Sequence, residues 1–300
     1  MCPIVVVSCF NQLALLELQA QSISKHLKGK HDIFIIVNEL DTAPWDSYFK
    51  EKIEHYYAEH NLHIKYVSDF DIQESPKLRT AGYKWVGWDV QQILKLAISE
   101  HITDIGYLVL DCQNFLIKDF CTQDYIVNDT LPMRHSRMVM PIDTWNAYNE
   151  SIHPPIQFRE ESLSICTPIF LSTHIVQSLI KSKETLYNFS VWFNSVSKLK
   201  SEFMLYDIWM RKKKLHDRHY NASERNDWAN PYLRDHPLFD EQYNQYMAQL
   251  GSHNTHKWTS INYRAWGDMS EEQYSALKVK LADFSIVPAM DNFRLTYNQT

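Results

Sequence analysis

Short apolar runs alternate with amphipathic helical patterns along the first third of the chain. Runs of β-branched and other apolar residues predict buried strands over Ile4–Val7, His31–Val37, Ile64–Val67 and Tyr107–Leu110. Apolar residues at helical spacing predict helices over Leu13–Leu27, Trp45–His60 and Trp88–His101. Strands that alternate with helices in this order are typical of a parallel, doubly wound sheet. We therefore predict an α/β fold with a Rossmann-like, mostly parallel twisted sheet flanked by helices.

The second half of the chain has a less regular pattern. It predicts strands over Arg137–Ile142 and Ile169–Ser172, and helices near Ile175–Ile180 and over Leu186–Val196, Glu202–Lys212, Gln242–Leu250 and Ser270–Ala282. Ser201 is well placed to cap the helix that begins at Glu202. The segment from Leu215 to Asp240 is polar and aromatic, which favours a loop. Because no repeat and no linker interrupts the sequence, we expect a single domain over residues 1–300 with a helical, loop-rich carboxy-terminal half.

Composition and charge narrow the class of protein. Hydrophobic residues make up 45% of the 300 residues and charged residues 22%, as in an ordinary globular protein. The net charge of −6 argues against a nucleic-acid partner, since binding to nucleic acid depends on a basic surface. The 5 cysteines are odd in number and form no CxxC pair, which favours a reducing, cytoplasmic setting. The apolar run Pro3–Val7 is too short for a signal or a membrane span, so we expect membrane contact to be peripheral at most.

Polar side chains follow each of the predicted strands, at the edge where open α/β sheets bind ligands. They are Ser8 and Asn11 after the first strand, Asn38 after the second, Asp69 and Asp71 after the third, and Asp111, Gln113 and Asn114 after the fourth. Each is also an ordinary residue for a turn. For the pair Asp69 and Asp71, a solvated turn is the simpler interpretation; the alternatives are a metal site here in place of one at Asp111, or contact of Asp69 with the base or ribose of a nucleotide.

Three motifs in order along the chain resemble a known family. The matching residues are Gly87, Trp88, Gln91, Gln92, Lys95 and Leu96, then Leu110 and Asp111, and finally Ser201, Glu202, Phe203, Leu205 and Tyr206. This combination resembles a glycosyltransferase-A-type family of nucleotide-sugar-dependent transferases, long filed among domains of unknown function. The strand end of that family usually reads Leu-Asp-Ser-Asp. Gln113 stands where the second Asp is expected.

The resemblance implies a nucleotide-diphosphate sugar donor, bound by residues 1–120, and a glycan or glycolipid acceptor, bound by residues 121–300. It also implies a divalent cation, Mn²⁺ or Mg²⁺, held by Asp111, by the Gln113 position and by a late histidine, for which His253 is the candidate. An amide offers an oxygen but no charge, so we expect the cation to bind weakly or to be dispensable. Ser8, Asn11, Asn38, Asp69 and Lys95 are the further candidates for contact with the donor. For His253, an ordinary surface or core histidine is the alternative.

Glu202 is the candidate catalytic base. A carboxylate in the first turn of a helix is stabilised as an anion by the helix dipole. In sugar transfer with inversion, such a base takes the proton of the acceptor hydroxyl. The alternative is a glutamate selected for helix electrostatics alone. The same dipole argument accounts for the cations Arg211–Lys214 at the end of this helix, although that run is also suited to an anionic, lipid-linked acceptor.

The predicted function is that of a glycosyltransferase, as in polysaccharide biosynthesis. Two alternatives use the same fold: a non-catalytic sugar- or nucleotide-binding module, which would explain Gln113, and a nucleotidyltransferase. Dinucleotide-dependent chemistry is disfavoured because no GxGxxG follows the first strand, and serine hydrolase chemistry because no GxSxG is present.

Overall fold

A computed structural model gives the fold over most of the chain. It describes residues 1–39, 41–73, 86–132, 135–137, 142–152, 154–157, 161–163, 167–196, 201–221, 232–233, 239–252, 257–261, 265–266 and 269–286. Within these residues, every helix falls short of the length and apolarity that a membrane crossing needs.

The centre of the molecule is a five-stranded, mostly parallel sheet. Its strands are β1 (Ile4–Ser8), β2 (Asp32–Val37), β3 (Asn61–Tyr66), β4 (Gly106–Asp111) and β9 (Ile169–Ser172), in the order β3-β2-β1-β4-β9. The first four are parallel, and β9 runs antiparallel to β4. Every residue of β1 is buried, as expected for a strand covered on both faces. The predicted fold class is thereby confirmed.

The helices cover the sheet and build the carboxy-terminal half. They are α1 (Leu13–His26), α2 (Ala43–Tyr48), α3 (Val86–Ala97), α4 (Ile142–Ser151), α5 (Thr173–Lys181), α6 (Leu186–Val196), α7 (Glu202–Lys212), α8 (His216–His219), α9 (Phe239–Ser252) and α10 (Glu271–Ala282). Helix α3 packs on β1, and it also contacts α6 and α7. This packing brings the start of α7 towards the end of β4.

Short strands form smaller sheets beside the main one. They are β5 (Asn114–Leu116), β6 (Leu131–Pro132), β7 (His135–Arg137), β8 (Glu161–Leu163), β10 (Tyr220–Asn221), β11 (Tyr232–Leu233) and β12 (Trp258–Ile261). β5 follows β4 almost directly and pairs antiparallel with β12. The chain therefore turns sharply at Asp111–Asn114, and this turn is the centre of the candidate site.

The helix predicted over Trp45–His60 is present, but its winding changes along its length. The chain continues α2 with a π-helical turn over Phe49–Ile53 and a 3-10 turn over Glu54–Tyr57. The buried residues Trp45, Phe49, Ile53 and Tyr57 recur at a strict interval of four. In an α-helix of 3.6 residues per turn, that interval rotates the buried face by about 40° at each step. A change of helical winding keeps all four side chains in the core.

The predicted strand Arg137–Ile142 is wrong at its end. A strand is present over His135–Arg137, but Ile142 begins helix α4, whose residues Trp145, Tyr148 and Asn149 are buried. A short apolar run does not by itself distinguish a strand from a buried helix. The segment Leu215–Asp240, predicted as a loop, includes helix α8 and the strands β10 and β11.

The contact between β4 and β9 depends on a glycine. A Cβ atom at Gly106 would lie 2.5 Å from the carbonyl oxygen of Leu171 and 2.5 Å from the Leu131 side chain. Only a residue without a side chain allows this close approach. Gly106 thus allows β9, and with it the preceding Thr167, to lie close against β4.

Candidate functional site

Asp111 ends β4 at the carboxyl edge of the sheet. Its backbone pairs with Val7 of β1, so the ends of the two central strands lie side by side. The side chain is 26% exposed, whereas the preceding residues of β4 are fully buried. A carboxylate therefore reaches the surface at the point where ligands bind in open α/β sheets.

The backbone and side chain of Asp111 are held by three neutral residues. Thr167 Oγ1 donates to Asp111 Oδ2 at 2.8 Å. Asp111 N donates to Asn114 Oδ1 at 2.7 Å, and Gln19 Nε2 donates to Asp111 O at 2.7 Å. Asn114 is itself fixed by a 2.6 Å hydrogen bond from its Nδ2 to Ser260 Oγ of β12. The carboxylate is thus fixed in orientation by contacts from several elements.

Lys95 joins Asp111 to Glu202 in a buried ionic cluster. Lys95 Nζ lies 2.8 Å from Asp111 Oδ1 and 3.0 Å from Glu202 Oε1. The side chains of Lys95 and Glu202 are 4% and 2% exposed. Tyr107 OH donates to Lys95 O at 2.9 Å, which ties α3 to β4. One residue from each of the three motifs, namely Lys95, Asp111 and Glu202, thus lies in this cluster.

The ammonium and the carboxyl groups of this cluster stabilise the charged forms of one another. Burial alone would lower the pKa of Lys95, but the carboxylates of Asp111 and Glu202 outweigh it and raise that pKa above its ordinary value. Burial raises the pKa of Glu202, and the neighbouring Lys95 opposes that rise. The cluster thus sets one ammonium between two carboxyl groups.

The start of α7 positions Glu202. Ser201 Oγ accepts a hydrogen bond from Met204 N at 3.4 Å, which confirms the predicted N-cap. Ser201 N donates to Tyr148 OH of α4 at 3.2 Å. The residues of α7 from Glu202 to Met210 are all buried, so this helix enters the core with its first carboxylate facing Lys95.

The candidates at the ends of β1 and β2 lie along the same edge of the sheet. Ser8 is buried, and its Oγ accepts from Trp45 Nε1 at 3.4 Å. Asn11 is exposed and accepts from Cys9 Sγ at 2.8 Å. Asn38 Nδ2 donates to Gly87 O at 2.7 Å, which links the end of β2 to the start of α3.

The other candidate residues lie in a local turn, in the turn after β4, or outside the described residues. Asp69 is exposed and its Oδ2 accepts from Tyr66 N at 2.8 Å, a local turn contact. Gln113 is half-buried in the turn between β4 and β5. His253 lies outside the described residues.

The described residues fit a divalent cation only in part. Among them, no group of three or more His, Cys, Asp and Glu side chains comes together as a metal site. Asp111 supplies one carboxylate, and Gln113 has an amide oxygen two residues further on. Mg²⁺ in proteins is often bound by one or two carboxylates together with substrate phosphates. These residues thus suit a cation that arrives with a diphosphate rather than one bound beforehand.

Sequence reasoning missed Gln19 and Thr167. Gln19 is fully buried, and it lies three residues after Leu16 and four before Ile23, on the apolar face of α1. A glutamine on that face was the available signal, because a buried amide needs hydrogen-bond partners. Thr167 had no comparable signal, since its contact with Asp111 joins residues 56 positions apart.

A family comparison places the chain by sequence. The profile described as "Family of unknown function (DUF6492)" matches residues 10–260. The chain belongs to this family. The DUF6492 match confirms the predicted membership of a family of unknown function, and it spans all three motif regions. No curated protein matches the chain by sequence.

Solved structures similar to this DUF6492 protein are glycosyltransferases. The galactosyltransferase LgtC, in complex with donor and acceptor sugar analogs, has 10% identity and a TM-score of 0.50, with 98% of this chain and 99% of that chain covered. Mouse xyloside xylosyltransferase 1 has 11% identity and a TM-score of 0.48, with 88% and 98% covered. The glycosyltransferase GlyE of Streptococcus pneumoniae TIGR4 has 12% identity and a TM-score of 0.45, with 99% and 63% covered. The likeness to LgtC shows a glycosyltransferase-A-type fold.

Proposed function

We propose that this protein is a glycosyltransferase that moves a sugar from a nucleotide-diphosphate donor to a hydroxyl group of a glycan or glycolipid. The observation that carries the proposal is Asp111, a fixed and partly exposed carboxylate at the carboxyl edge of the sheet. Residues 1–120 would bind the donor and residues 121–300 the acceptor. The site draws Asp111 and Lys95 from the first part and Thr167 and Glu202 from the second.

In this proposal Asp111 lies beside the donor diphosphate, with Ser8, Asn11 and Asn38 along the same sheet edge and Asp69 at the end of β3. Lys95 acts on the donor through Asp111, because the Lys95 side chain is 4% exposed and its ammonium lies between two carboxyl groups. It holds the orientation of Asp111 Oδ1, and Thr167 holds Oδ2. Such a prearranged carboxylate costs little reorganisation when the ligand binds.

The cluster sets two carboxyl groups against one ammonium, so a diphosphate beside Asp111 needs positive charge that enters with it. Asp111 and Gln113 would be the protein ligands of a Mn²⁺ or Mg²⁺ ion, with His253 the proposed late ligand. When bound, such a cation neutralises the charge that grows on the leaving diphosphate. We therefore propose that cation and donor bind together, and that either alone binds weakly.

Glu202 is the proposed base of the transfer. The acceptor hydroxyl must then come within hydrogen-bond distance of its carboxylate and give up a proton to it. Lys95 Nζ lies 3.0 Å from Glu202 Oε1, and the Glu202 side chain is 2% exposed, so neighbouring side chains have to move before an acceptor can reach this carboxylate. A positioning role is the alternative, in which Glu202 only balances the charge of Lys95.

A non-catalytic sugar- or nucleotide-binding module is the second candidate function. Two observations favour it: Gln113 in the place of a carboxylate, and the pairing of Glu202 with Lys95. In that case the protein binds donor or saccharide without turnover. Replacement of Gln113 by Asp would then create activity that the wild type lacks.

The test is a panel of uridine, guanosine and thymidine diphosphate sugars, each with and without manganese, followed by the melting temperature and by donor hydrolysis. We expect one nucleotide class to raise the melting temperature with manganese present. Hydrolysis of that donor distinguishes a transferase from the binding module. If no donor changes the melting temperature under either condition, the proposed function is wrong. The free cysteines Cys2, Cys9, Cys112 and Cys121 suit the proposed cytoplasmic setting, so the assay belongs in reducing buffer.

A further inference from the structure

Positive charge is concentrated in one stretch of an otherwise acidic chain. Residues 181–218 contain nine of the 30 lysines and arginines but only four of the 36 acidic residues. This stretch therefore carries a net charge of +5, and the rest of the chain −11. An asymmetry of this size indicates an interaction with an anionic partner.

The fold gathers much of this charge at the ends of two neighbouring helices. Lys181 and Lys183 lie at the end of α5, and Lys212, Lys213 and Lys214 at the end of α7. We call these five residues the lysine surface. A 2.8 Å hydrogen bond from Trp209 Nε1 to Ser178 Oγ joins the two helices. The ends of α5 and α7 are thus held together by packing that does not involve the lysines.

The lysines of this surface repel one another. Burial lowers the pKa of Lys212, whose Nζ is enclosed by the protein, and the charges of Lys213 and Lys183 lower it further. None of these three is paired with a carboxylate among the described residues, whereas Arg211 is paired with Asp207 at 2.9 Å. A helix dipole explains one or two cations at a helix end. It does not explain why three lysines without a carboxylate partner lie at the adjoining ends of two helices.

Aromatic and apolar side chains adjoin the lysine surface. Lys183 Nζ lies 4.1 Å from the centre of the Trp192 ring, and Lys213 Nζ lies 4.7 Å from that of Trp209. On the same helix as Trp192, Tyr187 and Val191 are 43% and 37% exposed and lie one turn apart. Lysines bordered by exposed aromatic and aliphatic side chains are typical of surfaces that bind at a membrane interface.

We propose that the lysine surface and the exposed face of α6 dock this protein on an anionic lipid bilayer. The lysines neutralise lipid headgroups, and Tyr187 and Val191 enter the interface between headgroups and acyl chains. Helix α7 runs from Glu202 to Lys212, about 16 Å at 1.5 Å per residue. Docking therefore places the candidate site one helix length from the bilayer, within reach of a membrane-anchored acceptor. The docking itself does not depend on the proposed transfer reaction.

The experiment is sedimentation of the full chain with vesicles of phosphatidylcholine, or of equal parts phosphatidylcholine and phosphatidylglycerol. We expect binding to the anionic vesicles alone, and its loss in high salt. The variant K183E/K213E/K214E should bind at least about a hundredfold more weakly, since each lysine near an anionic surface contributes about fivefold. The variant Y187S/V191S, which keeps the charge, should bind more weakly than the wild type.

The matched control is K25E/K30E/K50E, which makes the same change of charge at exposed lysines elsewhere. It should keep most of the vesicle binding. Equal losses in both triple variants would overturn the proposal, because net charge alone would then explain the binding. It would also be overturned if the wild type did not bind anionic vesicles in low salt, or bound soluble heparin in their place. Circular dichroism and the melting temperature show whether each variant is folded.

Discussion

Lys95 is the residue on which the charge of the candidate site depends. Its ammonium lies between Asp111 and Glu202, and both it and Glu202 are buried. Replacement by methionine keeps an unbranched apolar stem but removes the ammonium, which leaves Glu202 without its partner. We expect Lys95→Met to lower the free energy of unfolding by about 3–5 kcal/mol, as for other buried pairs that lose one member.

The double variant K95M/E202Q isolates the cause of that loss. Because Gln is uncharged, it removes the buried carboxylate that Lys95→Met leaves unpaired, and we expect it to restore a large part of the stability. Urea unfolding at neutral pH measures both variants. A double variant no more stable than Lys95→Met would show that packing, not charge, accounts for the loss.

Glu202→Gln alone separates the two roles of that residue. If Glu202 is the base, we expect donor affinity close to that of the wild type and transfer reduced by at least about a hundredfold, the usual contribution of a general base. If it only balances Lys95, donor affinity should fall together with the rate. Calorimetric titration of donor and the rate of transfer, measured on the same preparation, distinguish the two. Unchanged transfer would exclude both roles.

At this scale the sequence was informative where a residue type is unusual for its position. Asp111 follows an apolar strand directly and Lys95 lies in a matched motif, so both could be proposed from the sequence. Their contact could not, because it depends on how α3 packs on the sheet. The contact of Thr167 with Asp111 likewise follows from the position of β9, which no local signal specifies.

Helix α7 connects the candidate site to the lysine surface, and its start is fixed by Ser201. We expect Ser201→Ala to cost about 1 kcal/mol of stability through loss of the N-cap. Ser270→Ala is the matched control, because Ser270 Oγ accepts from Gln273 N at 3.2 Å at the exposed start of α10. Both variants should lose similar stability, measured by thermal unfolding. Only Ser201→Ala should also reduce transfer, since it alone loosens the turn that carries Glu202.

Equal effects of the two serine variants on transfer would contradict this assignment. The loss would then reflect general stability and not the position of Glu202.

Elements with a strong period were predicted with nearly correct bounds. Helix α6 begins and ends as predicted, at Leu186 and Val196, and so does α7, at Glu202 and Lys212. The change of helical winding after Trp45 was not predicted, because apolar residues four positions apart also fit an ordinary α-helix. Small strands such as β5 and β12 were missed because they are three and four residues long and gain their stability from pairing with each other.

At the scale of the whole molecule, histidines buried in the fold make stability depend on pH. Burial lowers the pKa of His31 from 6.5, and burial together with His31 lowers that of His60. Below about pH 6.5, these histidines bind protons more readily in the unfolded chain than in the folded one. The free energy of unfolding therefore falls as the pH drops below about 6.5. The ring nitrogens of His31 lie 3.3 Å from Cys2 O and 3.0 Å from Lys28 O, which link β1 to the loop before β2.

Urea unfolding at about pH 7.5 and about pH 5.5 measures this effect. The loss between the two values should be smaller in His31→Gln, which does not titrate, whatever its absolute stability. His55→Gln, at an exposed position, is the control and should leave the loss unchanged. A loss in His31→Gln as large as in the wild type would show that His31 does not contribute.

The sequence predicted that the sheet is mostly parallel, but it did not predict the order of its strands. Alternation of strands and helices indicated a parallel sheet, and the four parallel strands β3-β2-β1-β4 confirm it. The antiparallel β9 follows β4 only after the strands β5 to β8 and helix α4, so its place beside β4 depends on long-range packing. That strand and α7 bring the second half of the chain to the first, and the candidate site lies where they meet.

Calorimetric titration of a nucleotide-diphosphate sugar in the presence of manganese tests the central claim most directly. We expect the wild type to bind one donor class, and Asp111→Asn to bind it at least about tenfold more weakly, a loss of about 1.4 kcal/mol. Asp71→Asn, which changes an exposed aspartate after β3, should bind like the wild type. Equal binding by the wild type and Asp111→Asn, or binding lost in Asp71→Asn alone, would contradict a donor site at Asp111.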